Sequence, residues 1–119
     1  MSRTLLVVED NPDLRDLLVA FLGLHGFVVL TAADGEAALL VIRERLPDLI
    51  ITDIEMPRLD GIGLIRELRR HPDTRDLPIL VLTAYLAKGL TEAMAAGATQ
   101  AAYKPVQLDA LIRMIEQLL

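Results

Sequence analysis

Leu49-Ile50-Ile51-Thr52-Asp53 reads as a short buried strand, apolar or β-branched over four residues, that stops on a carboxylate. Glu55 follows, then the turn signal Met56-Pro57. A carboxylate at the end of a core strand is costly unless its charge is compensated. Candidates to compensate Asp53 lie on both sides of it in the chain.

Upstream, Leu5-Leu6-Val7-Val8 is another continuous apolar run, and it ends in Glu9-Asp10. Asn11-Pro12 supplies an N-cap and a proline for the first turn of a helix, with Leu14, Leu17, Leu18, Phe21 and Leu22 at helical spacing and Gly26 placed to end it. Phe27 to Thr31 is a second strand. Asp34-Gly35 opens a second helix whose expected inner face is Ala38, Leu39, Ile42 and Leu46, and Pro47 stops it. Downstream of Asp53, Asp60-Gly61 begins a helix through Leu64, Ile65 and Leu68 that ends near His71-Pro72. Pro78 to Thr83 is the fourth strand, Lys88 to Ala96 a helix ended by Gly97, and Gln100 to Tyr103 a short fifth strand before Lys104-Pro105. A last helix carries Leu108, Leu111, Ile112 and Ile115.

Five strands thus alternate with five helices. Continuous apolar strands between amphipathic helices predict a parallel sheet covered on both faces. For this length the expected architecture is a flavodoxin-like, doubly wound α/β fold of strand order 2-1-3-4-5.

The bulk numbers agree. The 119 residues suit one domain spanning 1–119. Hydrophobic residues make up 53% but aromatics only 3%, so the core must be aliphatic. A net charge of −5 argues against direct nucleic-acid binding or an anionic membrane surface, and favours divalent cations or basic partners. Without cysteine there is no disulfide or thiolate metal site. No apolar segment approaches membrane-spanning length and the N-terminus lacks a signal peptide's apolar run, so a cytoplasmic protein is expected.

In open sheets of this kind ligands bind beyond the carboxyl ends of the strands. Strand 1 ends at Glu9-Asp10, strand 3 at Asp53, strand 4 at Thr83 and strand 5 at Lys104. With strands 1 and 3 as neighbours, Asp10 and Asp53 lie close together, and adjacent carboxylates recruit a cation. Mg²⁺, hard and oxygen-ligated, fits. Thr83 offers a hydroxyl, and Lys104, one of two lysines in the chain, a point charge for a phosphoryl oxygen. Together these are the minimum apparatus for phosphoryl transfer onto a carboxylate.

Val8-Glu9-Asp10-Asn11, Asp53-Ile54-Glu55-Met56-Pro57 with Asp60-Gly61, Leu82-Thr83-Ala84, and Lys104-Pro105 occur in order across nearly the whole chain. In this the sequence resembles the CheY-like receiver domains of bacterial two-component response regulators. The resemblance implies that Asp53 accepts phosphate from the phosphohistidine of a histidine kinase or histidine phosphotransfer protein. It implies that Asp10 ligates Mg²⁺ with help from Glu9, and that Glu55 contributes its backbone carbonyl. Thr83 would hydrogen-bond the phosphoryl group, Lys104 would pair with it, and the small Ala84 would leave room. The surface of helix 4, strand 5 and helix 5 would then switch for a downstream effector, an output domain or a second copy.

Two features depart from the family's pattern. The aromatic that usually lies three residues before the lysine is Ala101 here, and Tyr103 adjoins the lysine instead. The switch must then work by loop and backbone movement, or involve Tyr103 or Tyr85. The second concerns the positions two residues after Asp53 and Thr83, here Glu55 and Tyr85, which in that family influence how readily water attacks the acyl phosphate; a bulky Tyr85 would shield it.

Blander readings stand beside these. Glu9-Asp10 alone would be a solvated turn, and Thr83 an ordinary strand-end threonine. Asp34 and Asp60 are expected helix caps, His25 and His71 helix-end residues facing carbonyls, and Arg66, Arg69 and Arg70 a solvated helix face. Gly61-Ile62-Gly63 is not a dinucleotide fingerprint, because Arg66 stands where the third glycine belongs. The alternatives in function are a degenerate receiver that only scaffolds, and a haloacid-dehalogenase-like phosphatase, whose acid-x-acid motif belongs on the first strand of its core.

Overall fold

The computed structural model describes residues 2–84 and 89–119. Tyr85 and Lys88, named above, lie outside the described residues. The chain runs β1 (Thr4–Val8), α1 (Pro12–Leu24), β2 (Val28–Ala32), α2 (Gly35–Glu44), β3 (Leu49–Thr52), α3 (Gly61–Arg70), β4 (Ile79–Ala84), α4 (Leu90–Ala96), β5 (Gln100–Lys104) and α5 (Leu108–Leu118). All strand pairs are parallel and the order is β2-β1-β3-β4-β5.

The continuous apolar strands follow from burial on both faces. Successive side chains point to opposite sides, so each run divides between two cores. Leu6, Val8, Ile50, Ile79 and Val81 pack with Ala38, Ile42, Leu64, Ile65, Leu68 and Ala93 of α2, α3 and α4. Leu5, Val7, Leu49, Ile51, Leu80 and Leu82 pack with Leu18, Leu22, Leu111 and Ile115 of α1 and α5.

Local signals set the helix starts. The Asn11 side chain accepts from the N–H groups of Asp13 and Leu14, that of Asp34 from Ala37, and that of Asp60 from Gly63. These caps satisfy donors that a helix leaves free at its N-terminus. Gly26, at φ 88, turns the chain after α1 into β2.

Several expectations need correction. β2 begins and ends one residue later than the sequence suggested, and β3 closes on Thr52, which leaves Asp53 just beyond the sheet. Leu46 is no inner-face residue of α2. The helix ends at Glu44, Arg45 is already extended, and Leu46, restrained by the following Pro47, is 52% exposed. His25 does face a carbonyl, that of Phe21, but His71 reaches the Glu67 carboxylate instead.

The Arg66-Arg69-Arg70 face is also only partly solvated. Arg66 and Arg70 are exposed. Arg69 donates to the carbonyls of Gly97, Leu77, Arg75 and Thr74 at 2.7–3.3 Å, tying the C-terminal end of α4 to the connection between α3 and β4. A guanidinium is the one side chain with enough donors to serve that many acceptors.

Candidate functional site

The register brings the polar strand ends together. Val8 pairs with Ala32 on one side and Thr52 on the other, so Glu9 and Asp53 leave the sheet side by side. Their backbones stay anchored: Glu9 N–H donates to Ala32 O at 3.0 Å, and Asp53 N–H to Val8 O at 3.2 Å. Thr83 pairs with Tyr103 and Ala84 with Lys104 across β4 and β5.

Lys104 crosses the end of β4 to reach both acids. Its Nζ donates to Asp53 Oδ2 at 2.8 Å and to Glu9 Oε1 at 2.7 Å. The second Glu9 oxygen accepts the Asn11 N–H at 3.1 Å, and the second Asp53 oxygen the Ile54 N–H at 2.7 Å. Arg15 Nη1 donates to the Glu9 carbonyl at 2.9 Å, a contact with no signal in the sequence.

Burial raises the Glu9 carboxyl pKa above its ordinary value, although hydrogen bonds from Lys104 and Asn11 pull the other way. Burial alone would lower the Lys104 ammonium, but the Asp53 and Glu9 carboxylates outweigh it and the group titrates above its ordinary value. The site is thus a buried carboxylate, a half-buried one and a lysine that neutralises part of their charge.

Asp10 completes an acidic group. One carboxylate oxygen each from Glu9, Asp10 and Asp53 lies within 4.8 Å of the others. An all-oxygen donor set, with Asp10 open to water, suits a hard divalent cation that keeps several of its waters. The Glu55 side chain is exposed and outside this group. Thr83 Oγ1 is buried and has no hydrogen-bond partner among the described residues. Buried hydroxyls rarely stay unsatisfied, so this one is free to accept or donate to a group that arrives.

Position 101 differs in kind from its neighbours. Ala101 is half-buried against the α2-α3-α4 core, whereas Tyr103 is 43% exposed. Tyr103 is in register with Thr83 and two residues from Ala101, so both lie on the α4 side of β5.

Comparison with known proteins gives this site a family. The model of the response regulator receiver domain matches residues 5–116. Response regulator MprA of Mycobacterium ulcerans is 41% identical over 122 aligned residues, which take in 100% of this chain and 51% of that protein. The chain therefore spans about half the length of this curated relative. Chemotaxis response regulator CheY4 of Vibrio cholerae is 30% identical, with a TM-score of 0.93 over 100% of both chains. The receiver domain of sensor histidine kinase PA1611 from Pseudomonas aeruginosa is 31% identical, with a TM-score of 0.92 over 99% of this chain and 98% of that one. That structure has a magnesium ion coordinated in its active site cleft.

The chain belongs to the response regulator receiver domain family. These are signalling modules of two-component systems, which work with histidine kinases and output domains. No helix of the described residues is long and apolar enough to cross a membrane.

Proposed function

We propose that this chain is one receiver module over residues 1–119, and that Asp53 takes a phosphoryl group from the phosphohistidine of a histidine kinase or histidine phosphotransfer protein. An Asp53 carboxylate oxygen attacks phosphorus. The P–N bond breaks, and its electron pair returns to the imidazole nitrogen of the donor. The chain catalyses only this transfer and the later hydrolysis of its own acyl phosphate.

The observation that carries this reading is the double pairing of Lys104 with Asp53 and Glu9. A lysine committed to the acceptor carboxylate can follow the charge when phosphate adds to it. Glu9, Asp10 and Asp53, with the Glu55 backbone carbonyl, would hold Mg²⁺, which when bound offsets charge on the phosphoryl oxygens. The buried hydroxyl of Thr83 gains a partner in a phosphoryl oxygen.

Drawing Thr83 and Lys104 toward the phosphate shifts the ends of β4 and β5. The surface of α4, β5 and α5 changes with them and binds or releases an output domain, an effector or a second copy. With Ala101 at the usual aromatic position, the movement goes through the backbone of β4 and β5. A cytoplasmic setting suits this cysteine-free chain and its phosphohistidine donor.

Beryllofluoride, a phosphoryl mimic, tests the switch by NMR. With Mg²⁺ it should shift the Thr83, Ala84 and Lys104 amides together with α4. Binding of Mg²⁺ without any such response would favour a scaffold that does not depend on phosphorylation. The phosphatase alternative has its acid on the first strand of the core, whereas Asp53 follows β3.

A further inference from the structure

We propose that Arg58 is a positioning residue for the acceptor loop: its ion pair with Asp34 clasps residues 53–60 to the first turn of α2 and so sets the Glu55 carbonyl. The inference rests on the reading above, in which that carbonyl serves a divalent cation.

Arg58 sits at φ 62, a left-handed conformation that side chains other than glycine, asparagine and aspartate seldom adopt. Such a conformation persists only where the surroundings fix it. Here Arg58 Nη2 and Nε lie 2.6 and 2.8 Å from Asp34 Oδ2. The other Asp34 oxygen accepts the Ala37 N–H at 2.8 Å, so the carboxylate is committed on both sides. Its side chain is only 3% exposed. Exposed ion pairs contribute little, but losing the partner of a buried carboxylate leaves an uncompensated charge.

A second contact runs beside the first. Gly35 N–H donates to the Leu59 carbonyl at 2.9 Å, and a side chain on Gly35 would collide with Leu59. The loop's other anchor is the bond from Gly61 N–H to Ile54 O at 2.8 Å. Among the described residues no hydrogen bond involves Glu55, Met56 or Pro57. Met56 packs against the α2-α3-α4 core, and the segment is otherwise held by the Ile54 anchor on one side and the Arg58-Leu59 clasp on the other.

The test is a calorimetric Mg²⁺ titration of the full chain and its Arg58→Gly, Asp34→Asn and doubly substituted forms. Arg58→Gly removes the guanidinium while suiting the left-handed backbone. Asp34→Asn keeps an oxygen for the Ala37 N–H. Each single variant should weaken Mg²⁺ binding by about tenfold, as loss of an orienting partner does at metal sites. The double variant should be no weaker than either, because both open one clasp. Amide exchange should quicken over residues 54–59 and stay unchanged in β1 and β5.

Affinities within about twofold of the parent, or fully additive losses, would overturn the proposal. So would an equal loss in Ile115→Val, a mild truncation of the opposite core, since the effect would then be general loosening. A parent that binds no Mg²⁺ would sink the functional reading and this inference with it. A parent that binds, with unaltered variants, sinks the clasp alone.

Discussion

Lys104 Nζ lies 2.7 Å from Oε1 of Glu9, a residue only 4% exposed. The pairing does not fully repay the burial of Glu9, whose carboxyl is raised from its ordinary value of 4.5, first by desolvation. A raised carboxyl favours the fold while protonated. That contribution is complete below 4.5 and is lost as pH rises through the folded value. Ionised Glu9 therefore costs stability at neutral pH. In metal-free buffer, Glu9→Gln should raise the melting temperature at pH 7, with the gain shrinking as pH falls through the raised folded value and gone below pH 4.5; its Mg²⁺ binding should weaken by about tenfold or more. Thermal unfolding at several pH values reads the first effect, and a lower melting temperature at pH 7 would refute it.

Thr83 makes the same trade with a neutral group. Its buried hydroxyl lacks a partner among the described residues. Thr83→Val keeps the shape and removes the desolvated oxygen, so the unphosphorylated chain should gain about 1 kcal/mol in urea unfolding. The variant should also lose the beryllofluoride-induced shifts at β4. Reduced stability would mean the hydroxyl already has a partner in the resting state.

Arg69 predicts the opposite sign. Arg69→Met strips four carbonyls of a charged donor and should cost about 2–4 kcal/mol by urea unfolding. Arg69→Lys should recover less than half of this, because one ammonium cannot reach carbonyls spread around a planar fork. A change within about 0.5 kcal/mol, as for an ordinary surface arginine, would contradict the clamp.

Asp34 should mark acid unfolding. The Ala37 N–H, and then Arg58, hold its carboxyl below the ordinary 3.8 despite burial. This stabilisation is complete above 3.8 and is lost as pH falls through the folded value. The parent should lose stability more steeply than Asp34→Asn on acidification below that point. Asp34→Ala, which loses cap and pair together, should cost about 1–2 kcal/mol at pH 7. Parallel acid profiles for the parent and Asp34→Asn would contradict this.

The sheet order and the cluster of Glu9, Asp10, Asp53, Thr83 and Lys104 at one edge were legible because they follow from short-range signals. Apolar runs mark strands, Asn11, Asp34 and Asp60 mark helix starts, and a parallel sheet puts every strand's carboxyl end on the same side. What escaped depends on contacts between residues distant in sequence. Arg69 reaches Gly97, 28 residues on, and Arg58 reaches Asp34, 24 residues back. No periodicity separates such an arginine from a solvated neighbour like Arg66. Leu46 misled because its spacing continued the α2 stripe past the point where Pro47 forces the chain out of the helix. The double pairing of Lys104 was not readable either, since it depends on how far one side chain crosses β4.

The central claim is that Asp53 is a phosphoacceptor, and intact mass after incubation with acetyl phosphate tests it most directly. The chain is measured with and without Mg²⁺, beside Asp53→Asn. The account predicts a gain of one phosphoryl group that requires Mg²⁺ and is absent from the variant. An equal gain in Asp53→Asn would contradict it, as would no gain in a chain that also fails to bind beryllofluoride with Mg²⁺.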